Sequence, residues 1–145
     1  MKVREDFVTN SSSSSFVIAF RKLPEIEPDV IERYPWLKGY TELLHKILFA
    51  EGDYSETREG KLYRTKEELE AYIVDLYGYY EDKTLEDVLK HDDEGVYEKF
   101  SELLSYIENG YSILVKRIDY DDNIYTMILR EIAKDNGEFI ILEDE

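Results

Sequence analysis

Apolar positions along the chain change period twice, dividing it into a short strand-forming start, a helical middle and a strand-rich end. Phe16-Val17-Ile18-Ala19-Phe20 is an uninterrupted apolar run of strand length, as expected of a strand buried on both faces. Lys2 to Val8 forms a weaker strand signal ahead of it. Pro24, Pro28 and Pro35 then punctuate the chain, leaving room for a short helical turn, Pro28 to Arg33, that must end before Pro35. From Trp36 onward, Leu37, Tyr40, Leu43, Leu44, Ile47 and Leu48 recur at helix spacing and stop near Glu51-Gly52, which predicts an amphipathic helix. Residues 51–64 are polar and hold two glycines, so they read as a long loop or a loose hairpin.

Two capping signals follow. Thr65 precedes Glu68 by three residues and opens a helix through Leu69, Tyr72, Ile73, Leu76 and Tyr77. Thr84 stands in the same relation to Asp87 and opens a short helix of Leu85, Val88 and Leu89. Val96, Phe100, Leu103, Leu104 and Ile107 then mark one helical face, stopped by Asn109-Gly110. Beyond Gly110, the segments Tyr111 to Ile118, Ile124 to Ile132 and Phe139 to Leu142 are rich in β-branched and aromatic residues, with Asp-Tyr-Asp-Asp and Lys-Asp-Asn-Gly between them. They predict an antiparallel meander with a hairpin turn at Asn136-Gly137. The expected fold is α+β: an antiparallel sheet of three C-terminal strands plus an N-terminal strand, packed with three to five central helices, in a single domain spanning residues 1–145.

Composition narrows the chemistry. The 145 residues include no Cys, which rules out disulfides, thiolate nucleophiles and cysteine-ligated metal centres and suits a cytoplasmic protein. No apolar run approaches the roughly 20 residues of a membrane helix, and no signal-peptide pattern opens the chain, so neither a membrane partner nor secretion is expected. Net charge is −16, concentrated in residues 51–108, which hold eighteen acidic and seven basic side chains. Direct nucleic-acid binding is disfavoured, because Lys and Arg contacts to phosphate supply most of such affinity. A protein partner with a basic surface is favoured instead. Thirteen tyrosines are the other excess, and Tyr77, Tyr79 and Tyr80 cannot all face one core, which marks the end of that helix as a contact surface.

The block Asp6-Phe7-Val8-Thr9-Asn10-Ser11-Ser12-Ser13-Ser14-Ser15-Phe16 sets five serines between strand-forming residues. It resembles an N-terminal motif of otherwise dissimilar, uncharacterised bacterial and phage-associated proteins. The resemblance covers eleven of the 145 residues and implies a prokaryotic or phage origin and a shared handling step at the N-terminus, with no catalytic residue to carry over. From the residues themselves, the serine run suits a loop between two strands. It also suits a modification target on the hydroxyls of Thr9 and Ser11, Ser12, Ser13, Ser14 and Ser15, or an address that includes Asn10 and is anchored by Phe7 and Phe16.

Other candidate sites are weaker. His91-Asp92-Asp93-Glu94 contains metal-ligating types, but adjacent side chains seldom converge on one ion, and an acidic helix start explains the run. His45 lies alone on a helix. Asp119, Asp121, Asp122 and Asn123 lack the glycine and distal glutamate of a calcium loop and read as a hairpin turn. There is no G-x-S-x-G, Walker loop or G-x-G-x-x-G. The expectation is therefore a non-enzymatic acidic protein, with no cofactor and no metal, that binds a basic partner through Glu67, Glu70, Asp75, Glu81, Asp82 and Glu86, flanked by Tyr79 and Tyr80. Its sharp form is a phage-type DNA mimic, anti-CRISPR-like, whose carboxylates imitate duplex phosphates before a nucleic-acid-binding enzyme. The alternatives are a substrate of an N-terminal modification system and a small metal-dependent enzyme using His91, Asp92 and Asp93.

Overall fold

The computed structural model describes residues 13–52, 54, 56–78, 81–90 and 95–145. Of these, 52% are helical and 20% lie in strands, and the fold is α+β as expected. The elements run β1 (Ser13–Phe20), α1 (Pro28–Arg33), α2 (Lys38–Phe49), β2 (Lys61–Tyr63), α3 (Lys66–Tyr77), α4 (Leu85–Leu89), α5 (Val96–Glu108), β3 (Ser112–Asp119), α6 (Asn123–Ala133) and β4 (Phe139–Asp144). Four antiparallel strands form one sheet in the order β2-β3-β1-β4. By contact the chain divides into two compact units, one of residues 1–61 and 114–145, the other of residues 62–113.

In the first unit β1 lies between two neighbours, and Phe16 to Phe20 are all buried, which is why this segment lacks the alternation of a half-exposed strand. It pairs antiparallel with β4, Phe20 opposite Phe139 and Ile18 opposite Ile141, with a bulge between Val17 and Ile18. Ile47, Leu48, Leu114, Ile118, Tyr125, Leu129 and Phe139 complete this core. Lys2 to Val8 lies outside the described residues.

Several expectations for the C-terminal third are corrected. The segment from Ile124 to Ile132 is helix α6, not a strand, and the fourth strand of the sheet is instead Lys61–Tyr63, within the stretch read as loop or hairpin. A dense apolar run satisfies both the strand and the helix period, and here Tyr125 and Leu129, one turn apart, supply the buried face. The Asp-rich segment before it is likewise no hairpin: Tyr120–Asp122 makes a 3-10 turn in which the Asp119 carboxylate accepts from the Asp121 N–H at 2.9 Å. Asn136-Gly137 closes no hairpin either. It follows the end of α6, where Asp135 adopts φ 54° and Asn136 accepts from the Glu138 N–H at 2.9 Å. The chain therefore leaves β3 through a helix before β4 reaches β1, and no meander forms.

In the second unit, α3 packs against α4 and α5 around Leu69, Ile73, Val88, Val96, Phe100, Leu103 and Ile113. The stop of α5 has a complete hydrogen-bonding explanation. Gly110 takes φ 89°, its N–H donates to the Ile107 carbonyl at 3.0 Å, and the Tyr111 N–H donates to the Tyr106 carbonyl at 2.9 Å. The rings of Tyr106 and Tyr111 meet edge-on with centroids 5.1 Å apart, the apolar contact that accompanies this kind of helix end.

Candidate partner-binding surface

The acidic residues of the middle of the chain are displayed by two capped helices. At the start of α3 the Thr65 hydroxyl accepts from the Glu68 N–H at 3.1 Å, and the Glu68 carboxylate reaches back to the Arg64 N–H at 2.6 Å. At α4 the box is complete: Thr84 accepts from the Asp87 N–H at 3.1 Å, and Asp87 accepts from the Thr84 N–H at 3.2 Å. Asp87 also accepts from the Lys83 N–H, and these bonds hold its carboxyl below the usual carboxylate range. Both predicted caps are thus present.

Leu69 and Ile73, one turn apart, turn α3 toward the core of its unit and leave the opposite side to solvent. There, Glu67, Glu70, Ala71, Val74 and Asp75 of α3, with Lys83, Thr84 and Leu85, line a groove of about 420 Å³. Apolar Ala71, Val74 and Leu85 contribute apolar surface to it, three carboxylates crowd it, and Lys83 is the single cation among the described residues that line it. Asp75 also faces Tyr63, whose ring stacks on Tyr72 at 4.8 Å; burial, and then the Asp75 charge, push the Tyr63 phenol up from its ordinary value.

Of the residues expected at a contact surface, the structure thus brings Glu67, Glu70 and Asp75 together in one groove. Glu81 and Glu86 are exposed and Asp82 is half-buried, but none of the three lines it. Tyr79 and Tyr80 lie outside the described residues, and Tyr77 is half-buried beneath the Lys99 amine, 5.5 Å from its ring centroid. Sequence reasoning missed Ala71, Val74, Lys83, Thr84 and Leu85; the Thr84 capping box was the available signal, since it fixes where α4 begins beside α3.

At the N-terminal motif, Phe7, Thr9, Asn10, Ser11 and Ser12 lie outside the described residues. Ser13, Ser14 and Ser15 belong to β1 rather than to a loop. The Ser13 hydroxyl accepts from Arg117 Nε at 2.7 Å, and Ser15 pairs through its backbone with Glu145. Phe16 is fully buried in the core, so it is not an exposed anchor for a partner.

Asp119 and Asp122 are tied into a buried polar network. Thr57 donates its hydroxyl proton to Asp122 and accepts from the Asp119 N–H at 2.7 Å, while Asp119 accepts from the Glu56 N–H at 3.1 Å. Lys116, fully buried, donates to the Ala50 carbonyl. Burial pulls its amine down to about 8, against the opposing pull of Asp122, Glu59 and Glu51. His45 is exposed and tilts against Phe49, and His91 to Glu94 lie outside the described residues. Among the described residues, no three His, Cys, Asp or Glu side chains converge as metal ligands. No helix among them is long and apolar enough to cross a membrane.

Comparison with protein-family models, curated proteins and solved structures yields no match.

Proposed function

We propose that this chain acts without catalysis, by binding another protein whose surface is basic, and that the acidic groove of α3 and α4 is where it does so. One observation carries the reading: Glu67, Glu70 and Asp75, spread over more than two helical turns, converge on one groove beside Lys83, the single lysine among the described residues that line it. The surrounding unit, residues 62–113, holds fourteen acidic and five basic side chains, so the local field attracts cations well beyond the groove. Arg or Lys side chains of a partner would find carboxylates for charge-assisted hydrogen bonds and an apolar lining for their methylene stems. Duplex mimicry is the finer form of the same proposal, in which the partner's basic surface is a nucleic-acid groove.

The test is affinity capture from host lysate at about 50 mM and then about 500 mM salt, comparing the native chain with the triple variant Glu67→Gln, Glu70→Gln, Asp75→Asn. A partner retained by the native chain at low salt, released at high salt and lost by the variant is the expected result. Equal capture by both chains removes the groove from consideration. Duplex DNA competing the captured partner off the native chain would support the mimicry form.

A further inference from the structure

Within the first unit, residues 23–25, which follow β1, and helix α2 enclose a pocket of about 260 Å³. Leu44, Leu48 and Phe49 of α2, with Leu23 and Pro24, give it apolar walls. An apolar cavity of about 150 Å³ holds one benzene, so this pocket has room for a ring and a short chain. Three polar side chains interrupt the lining: Glu25, Thr41 and His45. Thr41, Leu44, His45 and Leu48 fall at i, i+3, i+4 and i+7 and so share one face of α2, about 10 Å long. Thr41 is the informative residue. Its hydroxyl oxygen is buried and has no hydrogen-bond partner, not even the Leu37 carbonyl one turn back that a helical threonine commonly uses. Among the described residues it is the single buried side-chain polar atom in that condition.

We propose that this pocket binds a small arylalkylamine, a primary amine on a short chain that ends in an aromatic ring. The lining selects both halves of the ligand. Among the described residues that line the pocket, Glu25 is the single carboxylate and there is no Lys or Arg, so a cationic head is paired and an anionic one repelled. The net charge of −16 adds the same preference at long range. A primary amine is protonated at neutral pH, as lysine is, and its ammonium brings three N–H donors and no acceptor. The Glu25 carboxylate takes one donor, and the Thr41 oxygen, which has lone pairs and no donor of its own, takes another. Rotation about the Thr41 Cα–Cβ bond exchanges hydroxyl and methyl between the two rotamers common for a helical threonine, which turns the oxygen to the ligand without a change of volume. Exposed His45 leans its ring on Phe49 with centroids 5.1 Å apart, and this aromatic wall, with Leu23, Leu44 and Leu48, receives the ligand's ring. The site shares no residue with the acidic groove of α3 and α4 and does not depend on it.

The experiment is a titration of the full chain, followed by amide nitrogen–proton correlation spectra, with 2-phenylethylamine, 2-phenylethanol and 3-phenylpropionate, which keep the ring and change the head. The amine should give saturating shifts at Leu23, Glu25, Thr41, Leu44 and His45 with a Kd of about 1 mM or tighter. The alcohol should bind about fivefold or more weakly and the carboxylate more weakly still. Glu25→Gln, at an exposed position where folding is undisturbed, should abolish the preference for amine over alcohol. Thr41→Val should weaken the amine about threefold or more, while the free variant unfolds at no lower urea concentration than the native chain, because the substitution removes a hydroxyl that has no partner. Absence of saturating shifts up to about 20 mM amine overturns the proposal. So do shifts confined to Glu67, Glu70 and Asp75, an alcohol or carboxylate that binds as tightly as the amine, a Glu25→Gln chain that keeps the preference, or a Thr41→Val chain that binds the amine as the native chain does.

Discussion

Replacing Lys116 by Met should abolish a rise in stability that the native protein shows as pH increases above 8. The Lys116 amine is fully buried and donates to the Ala50 carbonyl, and burial outweighs the attraction of Asp122, Glu59 and Glu51, leaving its pKa at about 8 against an ordinary 10.5. The unfolded chain keeps this proton up to about pH 10.5, whereas the folded chain releases it near pH 8. Between those values the unfolded state binds more protons, so raising the pH favours the folded state. Below pH 8 both states are protonated and the contribution is flat.

Confining the scan to about pH 7.5–9.5 keeps it below the ordinary tyrosine value of about 10, and integrating the linkage relation for Lys116 over it gives a gain of about 2 kcal/mol. With a urea dependence of about 2 kcal/mol per molar, the midpoint should rise by about 1 M. The assay is urea unfolding followed by far-UV circular dichroism at several pH values in that range. Met keeps most of the volume and has no titrating group, so the Lys116→Met midpoint should stay level. At pH 7.5 its stability reflects two opposed effects: the Ala50 carbonyl loses its donor, at a cost of about 1–3 kcal/mol, while a buried charge disappears. A native midpoint that does not move, or a Met variant that moves with it, would refute the assignment of a depressed, buried amine.

Thr57→Val removes the hydroxyl that joins Asp122 to the Asp119 N–H, and two buried polar groups without their partner should lower stability by about 2–4 kcal/mol in the same assay. Gly110→Ala places a Cβ on a backbone at φ 89° and should cost about 1 kcal/mol or more, read as a lowered midpoint with native helix content retained. Thr84→Ala breaks the capping box of α4 and should cost about 1 kcal/mol. Because α4 adjoins the groove, the same change should weaken capture of a basic partner, and capture identical to the native chain would separate the cap from the groove.

The helical middle was legible because each helix there carries its own local signals. Thr65 and Thr84 cap at the expected residues, Gly110 stops α5 in the left-handed conformation only glycine takes readily, and Leu69 with Ile73 announces a single buried face. The C-terminal third lacked such signals. Its apolar residues are dense enough to satisfy either period, and the deciding interactions are distant: Thr57 and Glu56 reach across more than sixty residues to hold Asp119 and Asp122 in a turn that leads into α6. The sheet order shows the same dependence. Lys61–Tyr63 is too short to declare itself a strand by pattern and does so only where a neighbouring strand offers hydrogen bonds.

The same distinction governs the sites. Carboxylates spread over about two turns of a single helix can be read from sequence, and Glu67, Glu70 and Asp75 do share a groove. What makes it a groove, the approach of Lys83, Thr84 and Leu85, depends on the path between helices and not on any periodicity. Lys116 shows the opposite case, a charge in the strand Ser112–Asp119 that pattern alone would assign to the solvent side. Its burial follows from the Ala50 carbonyl and three nearby carboxylates, all far from it in sequence or beyond its own strand. Exposed Ile124 and Met127 are consistent with this logic. An apolar run that exceeds what one buried helical face requires reads as strand from its pattern, and Ile124 and Met127 are the surplus side chains of α6.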